Sequence, residues 1–531
     1  MRRIALIVTG MLALAGCGGG GGWKATCSAT KPCEAGNYCA DTPDGNVCWP
    51  DSEPPQFAST PTATCNGTRV CRRTDTLHVE AVVTDDAKMG TVEVELGLEP
   101  VVTRALQKRP DSDTFEADIS LAEVPFDRFD AENVAVTFTA RDEAQTPAVA
   151  AEAEDITITR LAWKTLLRGA SDTAYRLFMP AVLDDAGRLG VVGTDGSLHL
   201  VTNNGVEERA PIALGTQVDS SPAAGAGVIW VAGLNGQLYK RAAADGAAIS
   251  LTDCTTTTPA PLVGPPAVLG DRAIVVSAGN EILVARTTNA CNTSNASAPI
   301  TTSPALDSAG RLLLGTGATL RRFAIAANSA VSDAWGGLTP SVGSVVEPLG
   351  IGDLDVVWSV ATNGGVYRTD ALGTAHLLSE SVSAGSAGAV VLSDGTAVLA
   401  DASGVLRRVS SAGTPTWGSS VRLSGQPRTP LVLSSGEPTL LVTTSTGSVF
   451  AVRAANGEIA WSGRPTTYSL AAPNIWTEPG ASTSTAYLAG ADGYLYAVIV
   501  DGTLDTSAPW PKAYHDPQNT SNANGNAGVT P

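Results

Sequence analysis

The sequence predicts an all-β protein built around an eight-bladed β-propeller, with seven blades the alternative count, preceded by a β-sandwich and a small disulfide-rich module. Three observations carry that prediction. Glycine-centred turns recur between apolar strands about every forty residues, at Gly196, Gly236, Gly279, Gly317, Gly364, Gly404, Gly447 and Gly493, and a period of that length is one blade of short strands. Segments 77–83, 91–96 and 133–140 alternate apolar with polar residues, the pattern of half-buried strands. Cys27, Cys33, Cys39 and Cys48 crowd a stretch rich in turn residues that has too little apolar material for a core, so cross-links must hold it together.

Composition agrees with many short strands. Aromatics are only 5% of the chain and charged residues 16%, while Gly, Ala, Ser, Thr and Val dominate the second half, as tight turns and strands require. The net charge is −18, falling to −20 once a signal segment carrying Arg2 and Arg3 is removed. Such a surface repels phosphate backbones, so nucleic acid is not an expected partner.

At the N-terminus, Arg2 and Arg3 precede an apolar run over 4–15, which reads as an export signal too short to span a bilayer. Leu14-Ala15-Gly16-Cys17 then resembles a bacterial lipobox. The resemblance implies cleavage before Cys17, acylation of its thiol and a membrane anchor, because several acyl chains hold a protein where one would not. Gly18, which is not Asp, agrees with transfer to the outer membrane in that family. The body would face either the periplasm or the cell surface. Gly18 to Gly22 form a flexible tether.

Setting Cys17 aside leaves eight cysteines, an even number in an exported chain, and four disulfides are the expectation. Cys27, Cys33, Cys39 and Cys48 allow three pairings, which the sequence does not separate. A zinc site is disfavoured there by the lack of histidine and of any Cys-x-x-Cys pair. Cys65 and Cys71 flank Asn66-Gly67 and would staple a short hairpin. Cys254 and Cys291 lie one repeat apart and would meet on the outer rim of neighbouring blades.

Strand 134–142 resembles the late strand of bacterial immunoglobulin-like or fibronectin-like repeats, which implies a spacer or adhesion module over 72–160. Within the ring, Gly447-Ser448-Val449-Phe450-Ala451-Val452 with Asn456-Gly457 and Trp461, and Gly493-Tyr494-Leu495-Tyr496-Ala497-Val498 with Asp501-Gly502, resemble the PQQ-like propeller repeat. That pattern is a Gly turn, an aromatic-Ala strand, an Asp/Asn-Gly turn and a closing Trp. Gly236-Gln237-Leu238-Tyr239 fits it too, and Trp335, Trp417 and Trp510 stand near the closing position. Small residues with proline at 220–223, 264–267, 302–305 and 428–431 suit innermost strands, where a ring is narrow. Segment 161–167 would supply the outer strand of the last blade, and 510–520, which resembles a tail found with such propellers, would pack near the closure. The domains are then a signal peptide (1–16), lipidated cysteine and tether (17–26), Cys-rich module (27–49), Pro/Thr-rich linker with a stapled hairpin (50–71), immunoglobulin-like sandwich (72–160), propeller (161–515) and disordered tail (516–531).

No catalytic residue, cofactor or metal site is expected. Quinone-dependent enzymes of this ring hold pyrroloquinoline quinone and calcium centrally, often beside adjacent cysteines, and no two cysteines are adjacent here. The four histidines, His78, His199, His376 and His515, are far apart in sequence. Gly352-Asp353-Leu354-Asp355 resembles an integrin-type calcium loop but lacks its further acidic residues, and reads as a turn. The expected function is a non-catalytic, lipid-anchored scaffold at the cell envelope that binds a protein at a propeller face, with oligomeric state open. A quinone-dependent oxidoreductase and a carbohydrate-binding adhesin are the alternatives. The propeller lipoproteins of the outer-membrane β-barrel assembly machine are similar, but they lack the two extra N-terminal modules.

Overall fold

The computed structural model describes residues 25–524, except positions 29, 44, 52, 87, 145, 169–175, 252, 253, 255, 257–259, 289, 346, 347, 384–386 and 435. The signal segment, Cys17 and the glycine tether lie outside the described residues. The chain is all-β, and its helical content among the described residues is two single 3-10 turns, Leu121–Glu123 and Asp353–Asp355.

Two compact units divide the chain. The first holds residues up to 69 together with 77–119 and 133–156. Its N-terminal part is a hairpin of Asn37–Thr42 against Gly45–Pro50. Disulfides join Cys27 to Cys39 and Cys33 to Cys48, so the bonds interleave. Cys39 and Cys48 face each other across the hairpin, yet each bonds elsewhere. One sheet of this unit runs Val149–Glu152, Val136–Asp142, Met89–Leu96, Val102–Ala105, and another is centred on Thr76–Thr84. Alternation decides the buried face: Leu77, Val79, Ala81 and Val83 are buried, as are Val92, Val94, Leu96, Val136, Phe138 and Ala140. The stretch read as a linker is part of this sheet structure, because Gln56–Phe57 and Thr62–Thr64 both pair with Thr76–Thr84.

The second unit holds 157 onward, plus 70–76 and 120–132. The division suggested at 160/161 is therefore not where the compact units part. Here eight antiparallel sheets form the blades. Blade 1 spans Val182–Leu183 to Ile212–Ala213, blade 2 Ala223–Gly225 to Leu238–Ala242, blade 3 Leu262–Leu269 to Cys291–Asn295 and blade 4 Ala305–Leu306 to Val331–Asp333. Blades 5, 6 and 7 begin at Gly350–Ile351, Val390–Val391 and Leu431–Ser434. Blade 8 combines Asn474–Trp476, Thr483–Ala489 and Tyr494–Asp501 with Leu161–Leu166, which pairs antiparallel with Tyr494–Asp501. Two distant parts of the chain thus complete one sheet and close the circle.

Every adjacent pair of blades shares an apolar cluster, so no blade is left with an open face. Leu183, Val191 and Leu189 of blade 1 pack with Tyr487, Leu495 and Ala497 of blade 8, and Val192 and Leu198 pack with Ile229 and Val231 of blade 2. The series continues through blades 2 and 3, 3 and 4, 4 to 6, 6 and 7, and 7 and 8. Each buried Leu, Val or Ile contributes about 1.5–3 kcal/mol by leaving water, before the entropy of ordering it.

Blade 2 has three strands among the described residues. Past its last strand, Cys254 bonds to Cys291 on the outer strand of blade 3. Cys65 and Cys71 are disulfide-bonded as well.

Seven of the eight turn glycines adopt positive φ, the exception being Gly279. Gly364 shows why. Its φ is +88° and a Cβ would stand 1.9 Å from the Val382 carbonyl oxygen, while its own carbonyl accepts from Val382 N–H at 2.9 Å. Gly364→Ala is expected to cost at least about 2 kcal/mol, since backbone strain and the collision add. Gly395 has φ +76° and open space, so Gly395→Ala should lose only about 1 kcal/mol. Urea midpoints of the two variants check this, and equal midpoints would refute the steric account.

Three tryptophans follow one geometry, and Trp461, the closing residue of the blade 7 repeat, instead packs against Phe129 and Arg160. Nε1–H of Trp335 in blade 4 donates to Ala371 O in blade 5 at 3.1 Å, and that of Trp417 in blade 6 to Ala454 O in blade 7 at 2.8 Å. Trp510 does not belong to this set. Trp163 takes its place for blade 8, donating to Asn203 O of blade 1 at 3.0 Å, so the strand that closes the ring also carries its own dock.

Candidate functional site

The middle of a propeller is the place to look first, because innermost strands leave one edge of backbone N–H groups unpaired there. In six blades of this ring the chain itself satisfies one such group. Val391 of blade 6 donates to Trp510 O at 3.0 Å and Val432 of blade 7 to Pro511 O at 2.7 Å. Leu183, Ala224, Val268 and Leu306, of blades 1 to 4, donate to the carbonyls of Pro517, Gln518, Thr520 and Ser521 at 2.8–2.9 Å. In blade 8 the Asn474 side chain donates to Pro517 O at 2.8 Å. The segment therefore visits inner strands in ring order, as a collar.

This corrects the reading of 516–531 as a disordered tail. Asp516, Asn519 and Ser521 are at most 1% exposed. Residues up to 524 are described, and 525–531 lie outside. The segment turns through left-handed conformations at Tyr514, His515, Asn519 and Ser521, which aim its carbonyls outward at successive blades. At its centre Lys512 is fully buried, and Nζ donates to Ala513 O, Asp516 O and Asn519 Oδ1 at 2.7–2.8 Å. Burial pushes the ammonium down to about 7, with the Asp516 carboxylate pulling the other way. Trp510 packs on His515 with ring centroids 5.0 Å apart.

The residues present do not fit a centrally held quinone. Collar backbone is bonded to the inner strands of six blades, Lys512 is spent on the collar's own acceptors, and Trp510 packs on His515. The histidines stay apart. His199 is buried in blade 1, where burial lowers its pKa against the pull of Glu207. His78 pairs with Asp118 in the first unit, His376 lies on the outer strand of blade 5, and His515 is in the collar.

The ring's edge at blade 5 is different in character. Leu354 is 88% exposed and Leu372 78%, with Leu338 and Leu377 also exposed. One buried arginine organises this edge. Arg322 Nη1 donates to Ala371 O at 2.8 Å and Nη2 to Asp355 O at 3.2 Å, its Nε lies 3.2 Å from Asp307 Oδ2, and its guanidinium covers the Trp335 ring at 4.8 Å. Asp355 is bound by Arg311 at 2.9 Å. Burial would raise the Asp355 pKa, but hydrogen bonds from Ser308 and the charges of Arg322 and Arg311 outweigh it and hold the carboxylate low. The Gly352-Asp355 segment is thus a short turn whose second carboxylate serves arginines. Leu354 adopts φ +57° there, an uncommon conformation for a branched residue, and it is the most exposed large apolar side chain among the described residues.

Sequence reasoning identified the turns and inner strands and set 510–520 near the closure, but missed the collar's course past 515, the Arg322 hub and a group of carboxylates, Asp51, Asp85 and Asp86, whose oxygens gather within 4.8 Å in the first unit. The one available signal was Asp85-Asp86 directly after a strand. Asp51 is thirty-odd positions away, and only the fold joins them.

No family model and no curated protein matches this sequence. Among solved structures, the chain is similar to the computationally designed Ika8 protein, with 12% identity and a TM-score of 0.50 over 63% of this chain and 99% of that one. It is also similar to BamB from Moraxella catarrhalis, with 14% identity and a TM-score of 0.48 over 64% of this chain and 98% of that one. At such identities the likeness concerns fold alone.

Proposed function

We propose that the protein is an exported, lipid-anchored, non-catalytic scaffold that binds a protein partner through the blade 5 edge of its ring. The observation that carries this reading is the pair of leucines, Leu354 and Leu372, held out in solvent on loops that Arg322 and Trp335 fix from beneath. Exposed apolar groups on ordered loops suit a protein surface better than a small polar substrate. The collar supports a non-catalytic role, since the chain's own backbone fills the position a central cofactor would use. Disulfide-bonded cysteines support a compartment outside the reducing cytosol, and the lipobox-like Leu14-Ala15-Gly16-Cys17 supports an anchor, with outer-membrane sorting suggested by Gly18.

The test is photo-crosslinking from positions 354 and 372 in intact cells, paired with the Leu354→Asp/Leu372→Asp double variant. One discrete crosslinked protein is expected, and the double variant should lose its co-purification while melting as the wild type does. A double variant that still retains the partner would move the interface elsewhere. Mass spectrometry of the mature N-terminus should find acyl chains on Cys17. An unmodified thiol there would remove the anchor from the proposal.

A further inference from the structure

We propose that the first unit holds a calcium ion between Asp51, Asp85 and Asp86, where it ties the Cys-rich hairpin to the sheet structure behind it. One ligand oxygen from each residue lies within 4.8 Å of the others. Acidic clusters on surfaces are common and need no ion, so burial and pairing decide the matter. Asp51 is 7% exposed; its Oδ1 accepts from Glu53 N–H at 3.1 Å, but its Oδ2 is shut off from solvent and has no partner. Both carboxylate oxygens of Asp85 are likewise shielded, with no partner beyond the backbone N–H of the adjacent Asp86. Shielded carboxylate oxygens this poor in donors, gathered with a third acid, are a defect that folded chains rarely keep unless something cationic fills it.

Among the described residues, no lysine or arginine pairs with these three acids. Lys88, three residues beyond Asp85, pairs instead with Glu143 at 2.9 Å. Asp142 adds further negative charge but is already engaged, since its carboxylate accepts from Thr146 N–H and from the Thr146 hydroxyl. Asp85 feels burial first, then the charges of Asp51, Asp142 and Asp86. Asp86 is exposed, which leaves a route by which an ion and its remaining waters reach the buried pair.

Donor chemistry selects the ion. All three ligands are carboxylates, hard oxygen donors with no nitrogen or sulfur, which disfavours zinc. Calcium takes six to eight oxygens in adaptable geometry, while magnesium needs a strict octahedron and keeps its water. Three acids from two loops suit the larger ion. The position explains the benefit: Asp51 follows the Gly45–Pro50 strand of the hairpin and Asp85 follows Thr76–Thr84. Asp51 N–H already donates to Gly36 O at 3.0 Å, and Gly36 N–H to Ala144 O at 2.6 Å. The ion would add its bond to a junction that few backbone contacts maintain.

The experiment uses the full mature chain, stripped with chelator and dialysed. Calorimetric titration with calcium chloride should show one ion per chain with a dissociation constant up to about 1 mM, the range of extracellular calcium modules. Calcium should also raise the melting temperature by several degrees over chelator. Asp85→Asn should abolish both effects, yet melt in chelator no lower than the wild type, because the amide relieves crowding among the acids. That second readout separates a lost ion site from a misfolded variant. Identical wild-type melting in calcium and in chelator would overturn the proposal, as would calcium binding undiminished by Asp85→Asn. A magnesium shift equal to that of calcium would overturn the choice of ion.

Discussion

Lys512→Ala is expected to remove about 3–5 kcal/mol from the stability of the ring, because it leaves a buried cavity and three acceptors without donors. The three are Ala513 O, Asp516 O and Asn519 Oδ1, and none can turn to water, since Asp516 and Asn519 are as buried as Lys512 itself. The loss should spread, because Asn519 Nδ2 also reaches Ala181 O and Pro222 O at 3.2 Å and so couples the lysine to blades 1 and 2. Lys512→Met keeps the volume and removes only the donors, so it should fall between Ala and the wild type. The sign of the pH dependence is fixed. Burial holds Lys512 at about 7 in the folded chain, against roughly 10.4 when unfolded. Between those values the unfolded chain holds a proton that the folded chain has released, so stability rises with pH, by up to about 1.4 kcal/mol per unit. Below pH 7 both states are protonated, the burial penalty is fully present and the slope vanishes. Urea midpoints at pH 6, 7.5 and 9 should rise in the wild type and lose that rise in Lys512→Met. Parallel profiles would show that the ammonium carries no net penalty.

The reason this collar escaped the sequence also explains what was legible. A blade turn leaves a mark because glycine alone tolerates positive φ against a neighbouring carbonyl, and Gly196, Gly236, Gly364 and Gly447 all have one within 2.8 Å of the Cβ position. Inner strands of blades 2 to 4 leave a mark because small residues fit where a ring is narrow, as Ala223, Ala267 and Ala305 show. The ring-closing strand could be read at Leu161–Leu166 because its pattern is that of a strand with no partner nearby in sequence. The segment Asp516-Pro517-Gln518-Asn519-Thr520-Ser521-Asn522 has the opposite property. Its composition matches a solvated tail, and its stability comes from backbone carbonyls, which every residue has and no composition reveals. The same blindness hid the pairing of Cys27 with Cys39. It also hid the three-way meeting of Asp51, Asp85 and Asp86, since both depend on which loops the fold brings together.

A second residue carries an effect of similar size at the place where the ring unit extends beyond its blades. Arg160 is fully buried, and its guanidinium makes four bonds: to Arg128 O at 2.8 Å, Phe126 O at 2.7 Å, Ile499 O at 3.3 Å and Asp501 Oδ2 at 2.8 Å. Its Cζ also stands over the Trp461 ring, 4.7 Å from the centroid. These contacts join residues 120–132 to blades 7 and 8, and Phe129 completes the same core against Trp461. Arg160→Ala should cost about 3–5 kcal/mol, because Asp501 loses its closest charge partner while two carbonyls of the 120–132 segment lose their donors. Arg160→Lys should recover little, since an ammonium cannot span four directions in one plane or stack on an indole. Residual stability near the wild-type value in either variant would mean that Arg73, which reaches Asp501 at 3.3 Å, suffices alone. The local readout is tryptic cleavage after Arg128. Cutting should accelerate in Arg160→Ala well below the global melting temperature, because that peptide loses the guanidinium that holds it while the eight blades keep their shared cores. Cleavage that rises only with global unfolding would place Arg160 among general core residues and remove its special role in fastening this segment to the ring.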